Sequence, residues 1–276
     1  MVFTIATNGY IKGFMTGSIY TGASKSVCLP GLSCYSCPGA VGSCPIGAYQ
    51  AVVNTNNINV SFYIAGFLTV IGGFCGRFVC GWLCPFGLFE DLIYRIPSKH
   101  KLENIKGDRY LKYIKYIILA VFVAFLPAFV AGASGQGDPW FCKYICPSGT
   151  LMAGIPLVAL NESIRTALGA LFVWKAVFLA FLIFVSVFVY RPFCRYLCPL
   201  GAVYGFFNRV SVYKYSFNKE SCVKCGECHK ACLMGIKANE KANCADCIRC
   251  GKCVNSCMTG ALSGWSLKLE NKEKKE

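Results

Sequence analysis

The chain has 276 residues, 55% of them hydrophobic, with 20 cysteines against 2 histidines, 28 basic side chains against 13 acidic ones, and a formal charge of +15. A positive mean hydropathy of +0.49 beside that cysteine count excludes an average soluble domain and a small disulfide-stapled secreted one. The basic balance accompanies no nucleic-acid recognition motif, and it matches the excess of lysine and arginine that membrane proteins keep on one side of the bilayer.

In chain order, residues 1–23 are rich in glycine and threonine around Lys12 and read as half a span or an interfacial helix. They lack the layout of a cleavable signal peptide. A cysteine-rich stretch, CLPGLSCYSCPGAVGSCPIG, follows at 28–47. Three apolar runs, 60–76, 116–132 and 167–190, reach or approach the roughly 20 residues that cross a bilayer. Lys175 interrupts the third and is expected to snorkel toward the interface.

Loop charge sets the orientation. Arg95, Lys99, Lys101, Lys106, Arg109, Lys112 and Lys115 crowd the connection between the first two runs, whereas the next loop offers Lys143 and Arg165 against Asp138 and Glu162. The first loop is therefore expected in the cytoplasm. By that count 80–113 and everything after Arg191 lie inside, and 28–57 and 133–165 lie outside.

A repeat runs through the apolar region. FVCGWLCPFG at 78–87, FCKYICPSG at 141–149 and FCRYLCPLG at 193–201 share C-x3-C-P, an aromatic two residues after the first cysteine and a glycine two after the proline; SCPIG at 43–47 is a partial fourth. Cysteines at i and i+4 share one helical face, and the proline marks a turn. Each repeat thus offers two thiolates. The predicted topology joins Cys80 and Cys84 to Cys194 and Cys198 as one four-thiolate site. On the other side Cys142 and Cys146 meet Cys28, Cys34, Cys37 and Cys44, which is enough for one four-cysteine cluster with two to spare. Disulfides are the competing reading there, since an outer face can be oxidising. Cys75 and Cys244 are left over as packing thiols or spare ligands.

The C-terminal part carries the most specific signal. CVKCGECHKAC at 222–232 and CIRCGKCVNSC at 247–257 each read C-x2-C-x2-C-x3-C. In bacterial-type ferredoxins the fourth cysteine of such a run ligates the other cluster. The expected sets are Cys222, Cys225, Cys228 with Cys257, and Cys247, Cys250, Cys253 with Cys232. Leu233 and Met258 stand where a proline is usual. Zinc favours two separated C-x2-C pairs, and CGECH also satisfies the haem-attachment pattern at the expense of two thiols from a complete array. His229 is then a bystander that could tune a cluster by hydrogen bonding.

RFVCGWLCPFGLFEDL and CRYLCPLGAVYGFFNRVSVY, followed by the paired runs, resemble the membrane-bound polyferredoxin family of NapH- and NosR-like 4Fe-4S proteins over about residues 60–265. The resemblance implies a membrane iron-sulfur protein that passes electrons between the quinone pool and redox partners. The expected fold is an all-α membrane domain of three transmembrane helices with a fourth, partial one at the N-terminus, plus a small α+β bacterial-type 2[4Fe-4S] ferredoxin domain. Its divisions are 1–57, 58–213, 214–265 and a charged tail, 266–276. The expected cofactors are three [4Fe-4S] clusters, with a fourth at the outer thiols. The expected location is multi-pass in the cell membrane with the ferredoxin domain in the cytoplasm.

An electron-transfer subunit of a quinol dehydrogenase type fits better than a stand-alone enzyme, because no nucleotide-binding glycine loop or flavin site is present. Expected partners are membrane lipid, a quinone or membrane redox protein near Trp82 and Tyr196, and a flavoprotein or ferredoxin; nucleic acid is not among them. An assembly factor for a metalloenzyme is the alternative, since the same thiols serve it. Arg77, Arg191 and Arg195 flank the inner repeats either as interfacial anchors or as positive charge beside an anionic cluster.

Overall fold

The Cys-Pro steps organise the chain into helices. Pro45, Pro85, Pro147 and Pro199 each take a first helical position, where a missing N–H breaks no bond, and the preceding cysteine is the extended N-cap. The helices that carry the fold are, in order, α1 (Pro45–Val52), α2 (Ile58–Cys75), α3 (Pro85–Tyr94), α4 (Asp108–Phe129), α5 (Pro147–Leu160), α6 (Ala170–Phe188) and α7 (Pro199–Phe207). The computed structural model describes residues 2–53, 58–98, 101–102, 107–130 and 138–264. Lys99 and Lys106 of the basic loop, the end of the second apolar run and the charged tail fall outside those residues.

Among the described residues, α4 and α6 have the length and apolarity to cross a membrane, whereas the apolar stretch of α2 covers only Phe62–Cys75. Of the three transmembrane helices expected from the sequence, two are candidate spans among the described residues. The first run ends because Gly76, at φ 53°, turns the backbone into Arg77. At the N-terminus two short helices, Val2–Asn8 and Ile11–Thr16, stand in place of a span and expose Val2, Ile5, Ile11 and Met15. On α6, Val173, Trp174, Val177, Phe181 and Phe184 point away from the protein. An apolar face that meets no protein suits hydrocarbon.

One contiguous core joins the helix ends. Leu32, Ile46, Val79, Phe86, Phe141, Phe193, Leu200 and Tyr204 pack in it together with Cys44, Cys80, Cys84, Cys146, Cys194 and Cys198. Sulfur therefore sits in the centre of the protein and not at two opposite surfaces.

The C-terminal module is closed by two strands. β1 (Tyr215–Phe217) and β2 (Leu262–Gly264) pair antiparallel with Tyr215 opposite Gly264, which ties the two ends of the cysteine runs together. Within each run the residue before the second cysteine and the glycine after it are left-handed: Lys224 at φ 55° and Gly226 at 80°, Arg249 at 53° and Gly251 at 83°. Left-handed Lys and Arg are costly, and their appearance at matching positions marks a backbone bent to aim amides and sulfurs inward.

Three side chains dock this module on the helices. Asn208, fully buried, accepts from the Arg77 N–H at 2.8 Å and donates to the Cys244 and Cys247 carbonyls at 2.9 and 2.7 Å. Arg249, also fully buried, donates to the Cys75 and Asn208 carbonyls at 3.0 and 2.7 Å. Asp246 accepts from Lys115 at 2.6 Å, with Lys112 3.6 Å and Arg77 3.8 Å away. Burial works to raise the Asp246 carboxyl, but Lys115, Arg77 and Lys112 outweigh it and hold the group below its ordinary range.

Replacing Asn208 by Ala strands a buried N–H and two carbonyls, each worth about 1–3 kcal/mol when left without a partner. Asn208→Ala is expected to lower the thermal unfolding midpoint in detergent and to make residues 214–264 the first segment cut in limited proteolysis. An unchanged midpoint and digestion pattern would show that the docking is held elsewhere.

Candidate metal centres

The three C-x3-C-P repeats share one local construction. The N–H of the proline's cysteine bonds five residues back, Cys84 to Val79 at 3.0 Å, Cys146 to Phe141 at 2.9 Å and Cys198 to Phe193 at 2.9 Å, so that one helix closes on a wide turn as the next begins. The glycine at the third helical position turns its N–H toward the cysteine sulfur, and at Gly201 it donates to Cys198 Sγ at 3.4 Å. A sulfur held there lies at the positive end of a helix, a favourable place for an anion.

The inner repeats face each other with their arginines exchanged. Cys80, Cys84, Cys194 and Cys198 are buried and close enough that the charge of each bears on its neighbours. Arg77 Nη2 donates to the Cys194 carbonyl at 3.0 Å, and Arg191 Nη1 donates to the Cys80 carbonyl. Glycine is required opposite each guanidinium: a Cβ at Gly201 would lie 3.0 Å from Arg77 Nη2, and one at Gly87 3.1 Å from Arg191 Nη1. Arg191 is also paired with Asp91, and Arg195 with Asp108 at 2.6 Å.

The interfacial-anchor reading of these arginines is corrected. Arg77 is 0% exposed and Arg191 and Arg195 are 2% exposed; Arg77 and Arg191 bring charge to buried sulfur, whereas Arg195 is taken up by Asp108. The buried Arg77 Nε has no nitrogen or oxygen partner, and the guanidinium instead lies in hydrogen-bonding reach of Cys80. An orphaned donor beside four thiols is what an anionic sulfur cage would satisfy.

Glu90 is a member of this group that sequence reading missed. It is 1% exposed; Oε1 accepts the Phe193 N–H at 2.8 Å, Oε2 has no nitrogen or oxygen partner, and the Cys194 sulfur is within reach. Burial pushes its carboxyl up to about 7 despite the nearby Arg191 charge. Its position six residues after Cys84 matches Gln50, six after Cys44, and that spacing was the available signal.

In the C-terminal module Cys222, Cys225, Cys228 and Cys257 line one small cavity. Cys232 faces Cys250 and Cys244, while Cys247 and Cys253 both face Cys232. The fourth cysteine of each run thus lies with the other run's first three. Burial pushes Cys84 up to about 11 and Cys247 to about 12, so empty thiols are neutral and a metal must displace their protons. Cys244 adjoins the second group, Cys75 adjoins Arg249, and His229 Nδ1 lies 3.4 Å from the Ile236 carbonyl and not against sulfur.

The outer thiols divide. Cys34, Cys44, Cys142 and Cys146 line a common cavity with Lys175, whereas Cys37 turns toward Lys25 and Cys28 sits in a bridge with Ser43. Lys175 does not snorkel: its Nζ donates to the Cys142 carbonyl at 3.1 Å, because the broken helix leaves that carbonyl free. All twenty cysteines are free thiols. Nor is this segment separated from the inner repeats by the bilayer. Leu32 turns its N–H to the Cys84 sulfur and accepts Ser148 Oγ at 3.3 Å, while Tyr204 donates to the Pro30 carbonyl at 2.9 Å. The short helices fold back toward the centre, which loop counting does not detect. Tyr196 is likewise tied down, its hydroxyl donating to Asp108 at 2.6 Å, and Trp82 Nε1 donates to the Arg249 carbonyl at 3.1 Å.

The 4Fe-4S binding domain family matches residues 60–102, 117–158 and 171–218. An uncharacterised protein of Methanocaldococcus jannaschii is 32% identical over 199 residues, covering 70% of this chain and 66% of that protein. The methylamine utilization ferredoxin-type protein MauN of Methylorubrum extorquens is 29% identical over 168 residues, 60% of this chain and 50% of MauN. The regulatory protein NosR of Stutzerimonas stutzeri is 27% identical over 165 residues, 55% of this chain and 19% of NosR. The chain spans less than two thirds of the length of these relatives. No solved structure matches it.

Because its folded pKa is raised, Glu90 contributes most stability below the ordinary carboxylate range and loses it as pH climbs toward about 7. The slope is about 1.4 kcal/mol per pH unit, on the order of 3 kcal/mol in all. Wild-type thermal midpoints should therefore fall between about pH 5 and 7, and Glu90→Gln should flatten that fall. Identical profiles would show that Glu90 does not titrate in this interval.

Proposed function

Because the chain belongs to the polyferredoxin-like family of 4Fe-4S binding proteins, we propose that it is a membrane-bound electron-transfer protein whose clusters line up from the membrane helices to the ferredoxin module. Cys222, Cys225, Cys228 and Cys257 would hold the first cluster, Cys247, Cys250, Cys253 and Cys232 the second, and Cys80, Cys84, Cys194 and Cys198 the third. Such clusters exchange single electrons at potentials set by nearby charge, hydrogen bonds and exposure. This chain's residues supply the thiolates, the helix N-termini behind them and the buried Arg77 and Arg191, which favour the more reduced, more negative state.

The observation that carries the reading is the direct contact between the second and third groups. A Cβ at Gly81, between Cys80 and Cys84, would lie 2.4 Å from the carbonyl oxygen of Ile248, between Cys247 and Cys250. The two candidate cages share a wall one backbone thick, so an electron needs no carrier between them.

The ends of the series suggest the partners. Cys225 is exposed, with Val223 67% and Met258 93% exposed nearby, which suits docking of a soluble flavoprotein or ferredoxin. The apolar outward faces of α4 and α6 suit lipid and a quinone or membrane redox protein at the other end. Lys112, from the basic connection, meets Asp246 of the ferredoxin module, which supports a cytoplasmic location for that module.

Anaerobically purified protein is expected to carry at least about twelve iron atoms per chain, four for each of these clusters. Cys194→Ser should remove about four of them with one reduced-cluster EPR signal, and a short-chain quinol should exchange electrons with the clusters that remain coupled. Iron content unaltered by Cys194→Ser would refute the third site.

A further inference from the structure

The cavity between residues 32–44, α1 and α5 repeats the plan of the inner site. Its volume is about 670 Å³, and Cys34, Cys44, Cys142 and Cys146 line it. Cys44 and Cys146 are the extended N-cap residues of helices that begin at Pro45 and Pro147, as Cys84 and Cys198 are of helices that begin at Pro85 and Pro199. Gln50 Oε1 accepts the Phe141 N–H at 2.9 Å, just before Cys142; Glu90 Oε1 accepts the Phe193 N–H at 2.8 Å, just before Cys194. Lys175 Nζ donates to the Cys142 carbonyl at 3.1 Å, as Arg77 Nη2 donates to the Cys194 carbonyl at 3.0 Å. The two sites are therefore copies that agree in thiols, caps, buttress and cation.

Gly47 and Gly149 lie against the sulfurs of the cavity. A Cβ at Gly47 would lie 3.6 Å from Cys142 Sγ, and one at Gly149 would lie 3.6 Å from Cys34 Sγ and 3.7 Å from Lys175 Nζ. A single zinc ion holds its sulfurs about 2.3 Å away. Among the described residues no group of three or more metal-binding side chains is drawn together around a single ion.

We propose that Cys34, Cys44, Cys142 and Cys146 hold a fourth [4Fe-4S] cluster, with the half-buried Lys175 as its counter-charge and Gln50 donating to the Cys142 sulfur, 3.6 Å away. Four thiols lose their protons as four sulfur–iron bonds form to a [4Fe-4S]2+ core, which leaves a dianionic site. Cys34 and Cys44 lie outside the residues matched by the 4Fe-4S binding domain family, so half of the ligands come from this chain's N-terminal segment. Cys37 and Cys28 are not ligands. The inference rests on the cluster reading above and extends it. Leu32 then lies between the third and fourth sites, with its N–H at Cys84 and its carbonyl at Ser148, two residues beyond Cys146.

The test is iron and acid-labile sulfide analysis with EPR on the full chain, purified anaerobically and reconstituted. About sixteen irons are expected, at four per cluster. Cys44→Ser and Cys142→Ser should each lose about four while the signals of the other three clusters persist, and Cys37→Ser should lose none. Lys175→Met should keep the iron and move one cluster's midpoint to a more negative potential. About twelve irons with Cys44→Ser unaltered would overturn the fourth site and leave the other three standing, whereas fewer than about twelve would fail the underlying reading. A disulfide between any two of these four cysteines, found by mass spectrometry of the unreduced protein, would also overturn it.

Discussion

Burying anionic sulfur inside an apolar protein is the constraint on which the rest of this structure depends. A thiolate cage carries negative charge into a medium where isolated charge is very costly, so the protein must supply positive potential from within. It does so in two ways at once. Each Cys-Pro step puts a sulfur on a helix N-terminus, and each site draws a cation, the buried Arg77 and Arg191 at the inner group and the half-buried Lys175 at the outer. These cations hydrogen-bond the backbone carbonyl of a cysteine in the facing segment, so charge compensation and helix docking are one interaction.

The same constraint explains the broken helices. A continuous span satisfies its own backbone but presents no helix N-terminus in the protein interior. Interrupting the chain at Cys-Pro creates N-termini there, and the freed carbonyls are satisfied by Arg77, Arg191 and Lys175. Irregular backbone is thus tolerated where protein side chains close it off. The glycines after each proline complete the arrangement by leaving room for a guanidinium, an ammonium or a neighbouring sulfur.

Attachment of the ferredoxin module follows from the same helix end. The turn at Gly76 delivers Arg77 to the inner thiols while Asn208, Arg249 and Asp246 fasten the second cysteine run against it. One arginine contacts both Cys194 and Ala245, so the wall between the two sites is held from both sides. Electron transfer weakens steeply with separation, and a shared wall fixed by buried hydrogen bonds keeps that separation constant.

The sequence alone determined the chemistry: the paired C-x2-C-x2-C-x3-C runs, the C-P-x-G repeats and the apolar runs are local patterns, and local spacing is enough to specify thiol sets, N-caps and helix type. It determined the depth of those groups poorly, because counting charges along loops assumes that each apolar run crosses the membrane fully. The return of α1, α3 and α7 toward the centre and the contact of Leu32 with Cys84 are decided by packing between distant segments. For the same reason Lys175 and the three arginines could be read as surface anchors until the fold showed which carbonyls they meet. The choice of Cys34 and Cys44 over Cys28 and Cys37 was also tertiary, since all four lie within seventeen consecutive residues and only the position of α5 opposite them separates those facing the cavity from those facing away.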